Sequence, residues 1–173
     1  MFEDFSERAR RIVFFSRKVA GERGAAAIGV EDLMQVLVLE DQADYAKLFT
    51  ESAVPGASRM AVPTHRPFLT AEVAREIQRG LEPLMQSKAK SLPTSVDMPL
   101  SEAAQRVLLA AMELSEVLRG PAMPSRIQVQ QVEPLHLVAA VLSENTSATA
   151  EILNQAGIAS EAVIAAIKSG EYS

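Results

Sequence analysis

The sequence predicts an all-α fold: two pseudo-symmetric four-helix repeats packed as one domain. Two observations predict it. The first is an internal match. Phe5-Ser6-Glu7-Arg8-Ala9-Arg10-Arg11-Ile12-Val13 aligns with Leu100-Ser101-Glu102-Ala103-Ala104-Gln105-Arg106-Val107-Leu108, at the fixed offset that carries Ser6 to Ser101. Further on, Ala46-Lys47-Leu48-Phe49 aligns with Ala150-Glu151-Ile152-Leu153, and Ala53-Val54 with Gly157-Ile158. A repeated supersecondary unit implies two halves that share a core, and it directs the functional search to a groove, not to a catalytic cluster. The second observation is periodicity. Apolar residues recur at steps of three, four and seven, and few segments have the β-branched alternation of strands. Repeat one is placed at 1–89, a linker at 90–99 and repeat two at 100–173.

The first helix spans 6–21, with Ala9, Ile12, Val13, Val19 and Ala20 on one face. Ser6 suits its N-cap, Glu7 the positive end of its dipole, and Gly21 and Gly24 its end. A second, strongly apolar helix spans 31–40 through Leu33, Met34, Val36, Leu37 and Leu39. A third spans 43–52 with Tyr45, Leu48 and Phe49 inward. Pro55, Gly56, Pro63 and Pro67 make 54–69 an extended loop. Thr70 caps a long fourth helix through Val73, Ile77, Leu81, Leu84 and Met85, which Pro83 kinks or splits. In repeat two the helices fall at 101–118, 134–143, 146–156 and 160–168. The segment 121–133 carries an insertion relative to its counterpart in repeat one, the difference between the two alignment offsets, and its Ile127 and Val129 suit a short strand or ribbon.

Composition narrows the function classes. Of 173 residues 48% are hydrophobic, enough to build a core. A net charge of −5 argues against a general nucleic-acid binder. The absence of cysteine removes disulfides, thiol catalysis and cysteine-ligated zinc. No apolar run approaches the ~20 residues of a membrane span, and the acidic Met1-Phe2-Glu3-Asp4 start does not read as a secretion signal. The expectation is a soluble, cytoplasmic protein with no cofactor, no metal, no nucleic-acid partner and no membrane partner.

Phe5-Ser6-Glu7-Arg8-Ala9, followed by Ile28-Gly29-Val30-Glu31-Asp32-Leu33 at the second helix, resembles the N-terminal domains of Clp/Hsp100 unfoldases of the ClpA/ClpC type. Their pattern reads F-T-E-R-A, then I-G-T-E-H-L-L, then A-x-x-L-L-x-x-x-G-V. The last is similar to Ala46 through Val54. Here Val30 replaces the family Thr and Asp32 the family His. Aligning His136-Leu137 with Asp32-Leu33 puts Pro134 and Leu135 at the Thr and Glu positions of repeat two. A rival register pairs Val132-Glu133 with Val30-Glu31. No G-x-x-x-x-G-K-[ST] phosphate loop is present. The resemblance therefore implies a free-standing, non-enzymatic module that binds proteins: Clp unfoldase or protease components, adaptors, or substrate segments. The alternative it implies is an accessory subunit docking on a Clp protease core, as plant ClpT proteins do.

The candidate partner-binding residues are Glu31, Ser6, Asp32, Arg10, Arg17 and Phe15. In ClpC-type relatives the Glu matching Glu31 helps bind phosphorylated arginine, and Ser6 could contribute at the start of the first helix. Position alone also accounts for Glu31, because acids are favoured in a first helical turn. The loss of the neighbouring Thr and of the second Glu counts against a two-site reader of that modification. Arg8, Arg10, Arg11, Arg17 and Lys18 make a basic stripe suited to an acidic partner, or a solvated face balanced by Glu3, Asp4 and Glu7. Of adjacent Phe14 and Phe15, about 100° apart on a helix, at least one must point to a flank. His136 is expected to pack in a helix and His65 to be solvated in its loop. Neither has metal-ligand spacing, and no catalytic residue is assigned.

Overall fold

A computed structural model describes residues 2–48, 65–86, 90, 92, 97–118, 131–144 and 146–172. Among these the chain forms α1 Glu7–Glu22, α2 Val30–Asp41, a 3-10 turn Tyr45–Leu48, α3 Ala71–Leu81, α4 Glu102–Val117, α5 Pro134–Ser143, α6 Ala148–Gln155 and α7 Ser160–Ser169. The fold is all-helical. The expected insertion ribbon lies largely outside the described residues. No single described helix is long and apolar enough to cross a membrane.

Local chemistry starts these helices. Ser6 accepts from the Ala9 N–H at 3.2 Å and Ser101 from the Ala104 N–H at 3.1 Å. Both helices that follow are 16 residues long. Thr70 caps α3 through the Val73 N–H, and Ser147 caps α6 through the Ala150 N–H. Pro134 sits at the start of α5, where its missing donor costs nothing, and Gly170 ends α7 at φ 67°.

Two expectations are corrected here. The fourth helix does not run on to Met85. It stops at Leu81, and the N–H groups of Leu84 and Met85 close a turn onto the Leu81 carbonyl. Pro83 removes a donor and crowds the preceding turn, which a continuing helix could not absorb. The third helix is a four-residue 3-10 turn, with residues 49–52 outside the described set. Ala43, at φ 54°, breaks the path from α2, and Lys47 N–H then bonds the Asp44 carbonyl.

α2 and α5 are the hydrophobic centre. Leu33, Met34, Val36 and Val38 on one, and Leu137, Val138, Ala140 and Val141 on the other, are all buried. Burial of each large aliphatic side chain is worth about 1.5–3 kcal/mol. α1 packs on α2 and α4 on α5, while α3 covers α2 and α7 covers α5. The halves interlock through their leading segments. Ser6 N–H donates to the Val132 carbonyl (3.1 Å) and Val132 N–H to Asp4 (2.7 Å). The counterpart is Ser101 N–H to Ile28 (2.9 Å) and Ile28 N–H to Pro99 (2.9 Å). These form two isolated parallel bridges, Phe5 with Val132 and Leu100 with Ile28. Each half thus pairs the approach to its first helix with the approach to the other half's second helix.

Candidate protein-docking surface

The acids that open α2 are already engaged. Arg23, at the end of α1, points its guanidinium at Asp32, donating from Nε and Nη2 at 2.8 Å each, and from Nη2 to Glu31 at 2.7 Å. Asp32 is fully buried and also accepts the Gly29 N–H at 2.8 Å. Its hydrogen bond to Arg23, opposed by burial, holds the guanidinium pKa above its ordinary value. Gly29 makes room for this arrangement: a Cβ there would fall 2.4 Å from the Glu31 carboxylate oxygens. Asp32 is therefore structural, while half-buried Glu31 keeps one side toward solvent.

Ser6 is buried as well, between its capping bond and its backbone bond to Val132. Beside it is a polar cluster that sequence reasoning missed. Arg8 grips buried Glu40 with Nε and Nη2 at 2.7 and 3.0 Å and gives Nη1 to the Tyr172 carbonyl at 2.5 Å. Burial pushes the Glu133 carboxyl above its ordinary pKa, against hydrogen bonding from Ser6 and the charge of Arg8. Burial likewise raises the Tyr45 phenol. The expectation of a solvated His65 is corrected: its Nε2 lies 3.1 Å from the Asp41 carbonyl, and its ring is almost enclosed. Asp41 folds the loop back by accepting from the Phe68 and Leu69 N–H groups. His136 is buried, accepts the Glu133 N–H at Nδ1 (2.9 Å), and has its pKa lowered by burial.

On the outer face of α1, Arg10 is exposed and Arg17 half-exposed. Phe15 does not reach that face. It is 8% exposed, with its ring 5.3 Å from that of Tyr45. Phe14 is the outward ring, 70% exposed and edge-on to Phe15. The reason is the step from Ile12, which places Phe15 and Ser16 over the core one turn later. Of the six candidates the structure brings Glu31 and Asp32 together on Arg23, sets Arg10 and Arg17 outside, and buries Ser6 and Phe15.

A surface groove of about 410 Å³ opens where α1, α2, the 3-10 turn and the end of α3 meet. Leu39 and Leu48, both buried, lie in it with Val19 and Met85, and Glu22, Lys47 and Glu82 add charge.

No family model matches the chain, and no curated protein matches it. Solved structures do. One, titled as preliminary structural investigations of a malarial protein secretion system, aligns over 96% of this chain and 94% of that chain at a TM-score of 0.66 and 16% identity. Another, the N-terminal domain of the caseinolytic protease associated chaperone ClpD from Arabidopsis thaliana, aligns over 98% and 99% at a TM-score of 0.57 and 22% identity. The architecture is thus a known all-helical class. More particularly, the chain has the fold of a Clp N-terminal domain, across nearly the whole of that domain.

Proposed function

We propose that this chain is a non-enzymatic protein-binding module that recruits unfoldase components, adaptors or substrate segments. The carrying observation is the near-complete mutual coverage with the ClpD N-terminal domain. The α1–α2–α3 groove gives the reading a place: half-buried Val19 and Met85, above a floor of buried Leu39 and Leu48, would anchor a segment, and Glu22, Lys47 and Glu82 would set its register. Glu31 and Asp32 would contribute shape instead of capturing phosphorylated arginine, because Arg23 of the same chain fills the guanidinium position. The halves, repeat one at 1–89 and repeat two at 100–173, would be copies of one ancestral unit. A cysteine-free chain of this charge fits a cytoplasmic setting.

The test is photo-crosslinking from position 78, whose Gln lines the groove, in cell lysate, with the captured proteins identified by mass spectrometry. Unfoldase, adaptor or client proteins, lost when Met85→Glu is added, are expected. Protease-core subunits without clients would move the reading to an accessory subunit. Capture no different from that at exposed Glu161 would end it.

A further inference from the structure

Large apolar side chains stand out on two helices, at corresponding places. Phe14 on α1 is 70% exposed; Leu109 and Val117 on α4 are 49% and 78% exposed. Phe14 and Leu109 are each the eighth residue of a 16-residue helix that begins after a capping serine. Each helix is about 24 Å long.

The charges around these side chains are opposite. Arg10 and Lys18 lie one turn either side of Phe14, with Arg11 and Arg17 adjoining. Glu7 pairs with Arg11 and Glu22 with Lys18, and exposed Arg10, one turn before Phe14, carries the positive charge this face offers. On α4, Glu113 lies one turn beyond Leu109, Glu116 flanks Val117, and Glu102 opens the helix; all three are exposed. The cation there, Arg106, is held by Glu144 at 3.1 Å. One face is apolar and positive, the other apolar and negative.

We infer that a second copy of this chain is the occupant: the α1 face of one copy docks on the α4 face of another, Phe14 against Leu109 and Val117, within a ring of Arg10, Glu113 and Glu116. The charge complement and the matching apolar anchors both lie on this one sequence. A chain of net charge −5 would otherwise repel its own copies and any polyanion. This surface adjoins the α1–α2–α3 groove at Glu22, the partner of Lys18, but Phe14, Leu109 and Val117 do not line the groove, so loss of self-association in Phe14→Asp and loss of capture in Met85→Glu are read separately. If both faces of a copy meet the same neighbour the assembly closes as a dimer; if they meet different neighbours it grows head to tail.

The test is sedimentation velocity of the full chain from about 1 µM to about 1 mM, at ~50 and ~500 mM salt. Mass should rise with concentration, and association should weaken at high salt. Phe14→Asp and Glu113→Arg should each raise the dissociation constant at least about tenfold. Circular dichroism should be unchanged, since both positions are exposed. Mixing Arg10→Glu with Glu113→Arg should restore association between the two variants, read with one copy fluorescently labelled. A chain that stays monomeric throughout, or associates with undiminished strength in both single variants, overturns the inference. So does a charge-swapped mixture that fails to associate.

Discussion

Asp32 and His136 do the same work in the two halves. Each is the third residue of its helix and turns its side chain back to the backbone N–H of the residue before that helix: Gly29 at 2.8 Å, Glu133 at 2.9 Å. This equivalence matches the sequence register that pairs the two residues. It also divides their chemistry. A carboxylate takes a cation as well as the amide, so Arg23 is drawn in; an imidazole takes the amide and stays neutral.

Removing Asp32 should therefore cost far more than a lost cap. Asp32→Ala leaves Arg23 buried with half-buried Glu31 as its remaining anion, so the loss should exceed that of a cap and stay below the roughly 3–5 kcal/mol of a fully unpaired buried charge. Asp32→Asn keeps an acceptor for Gly29 and should lose less. Urea titrations at neutral pH compare the two, and equal losses would contradict the argument.

Acid should weaken the fold through His136. Its folded pKa lies below the unfolded value of 6.5. Between the two the unfolded chain holds the extra proton, so stability is intact above about pH 6.5 and falls as pH drops below it. Glu133 has the opposite sign. Its folded pKa lies above 4.5, so its contribution is best at low pH and diminishes as pH rises past that value. His136→Asn should flatten the decline below pH 6.5. Glu133→Gln should gain stability relative to the parent on going from pH 4 to pH 8. Urea midpoints across that range read both.

Gly80 lets α3 lie against α6. A Cβ there would fall 2.7 Å from Ile152 Cγ2 and 3.2 Å from Cγ1. Alanine is worth about 1 kcal/mol more than glycine inside a helix, but overpacking against a stiff β-branched neighbour costs about 1–3 kcal/mol. Gly80→Ala should thus be neutral to destabilising, and strictly stabilising once Ile152→Ala has opened the space. A double-mutant cycle by thermal unfolding measures the coupling.

The two adjacent phenylalanines should behave as opposites. Phe15→Ala removes a core ring against Tyr45 and should cost about 3–5 kcal/mol. Phe14→Ala, on the surface, should stay within about 0.5 kcal/mol. Denaturant midpoints of the two variants decide it.

The sequence made the helices legible where short-range chemistry sets them. Ser6, Thr70, Ser101 and Ser147 cap within three residues, and Pro83 stops α3 within two. It was less informative about sides. Val13 and Phe14 satisfy a helical stripe as readily as Phe15 and Ser16, and only the tertiary direction from α2 selects the latter pair. Ser16 is buried because it donates to the Ile12 carbonyl at 2.6 Å, a bond no hydrophobicity pattern anticipates. The site was least legible. Glu31 and Asp32 could be read as a local pair, but the cation that claims them comes from the end of α1. Arg8 reaches Glu40 across 32 positions. Ion pairs formed by packing leave no spacing to count. His65 was hidden likewise, because Asp41, 24 residues earlier, bends its loop inward.

The two bridges, Phe5 with Val132 and Leu100 with Ile28, make the halves mutual hostages. Neither can melt while the other persists, since each would leave its neighbour's entry strand dangling with bare amide hydrogens. Heating should then dissolve the molecule in one step, and slow deuterium uptake at Ser6, Ile28, Ser101 and Val132 should report one shared opening event. A chain whose two ends are cross-paired in this way would behave in a calorimeter as an undivided whole.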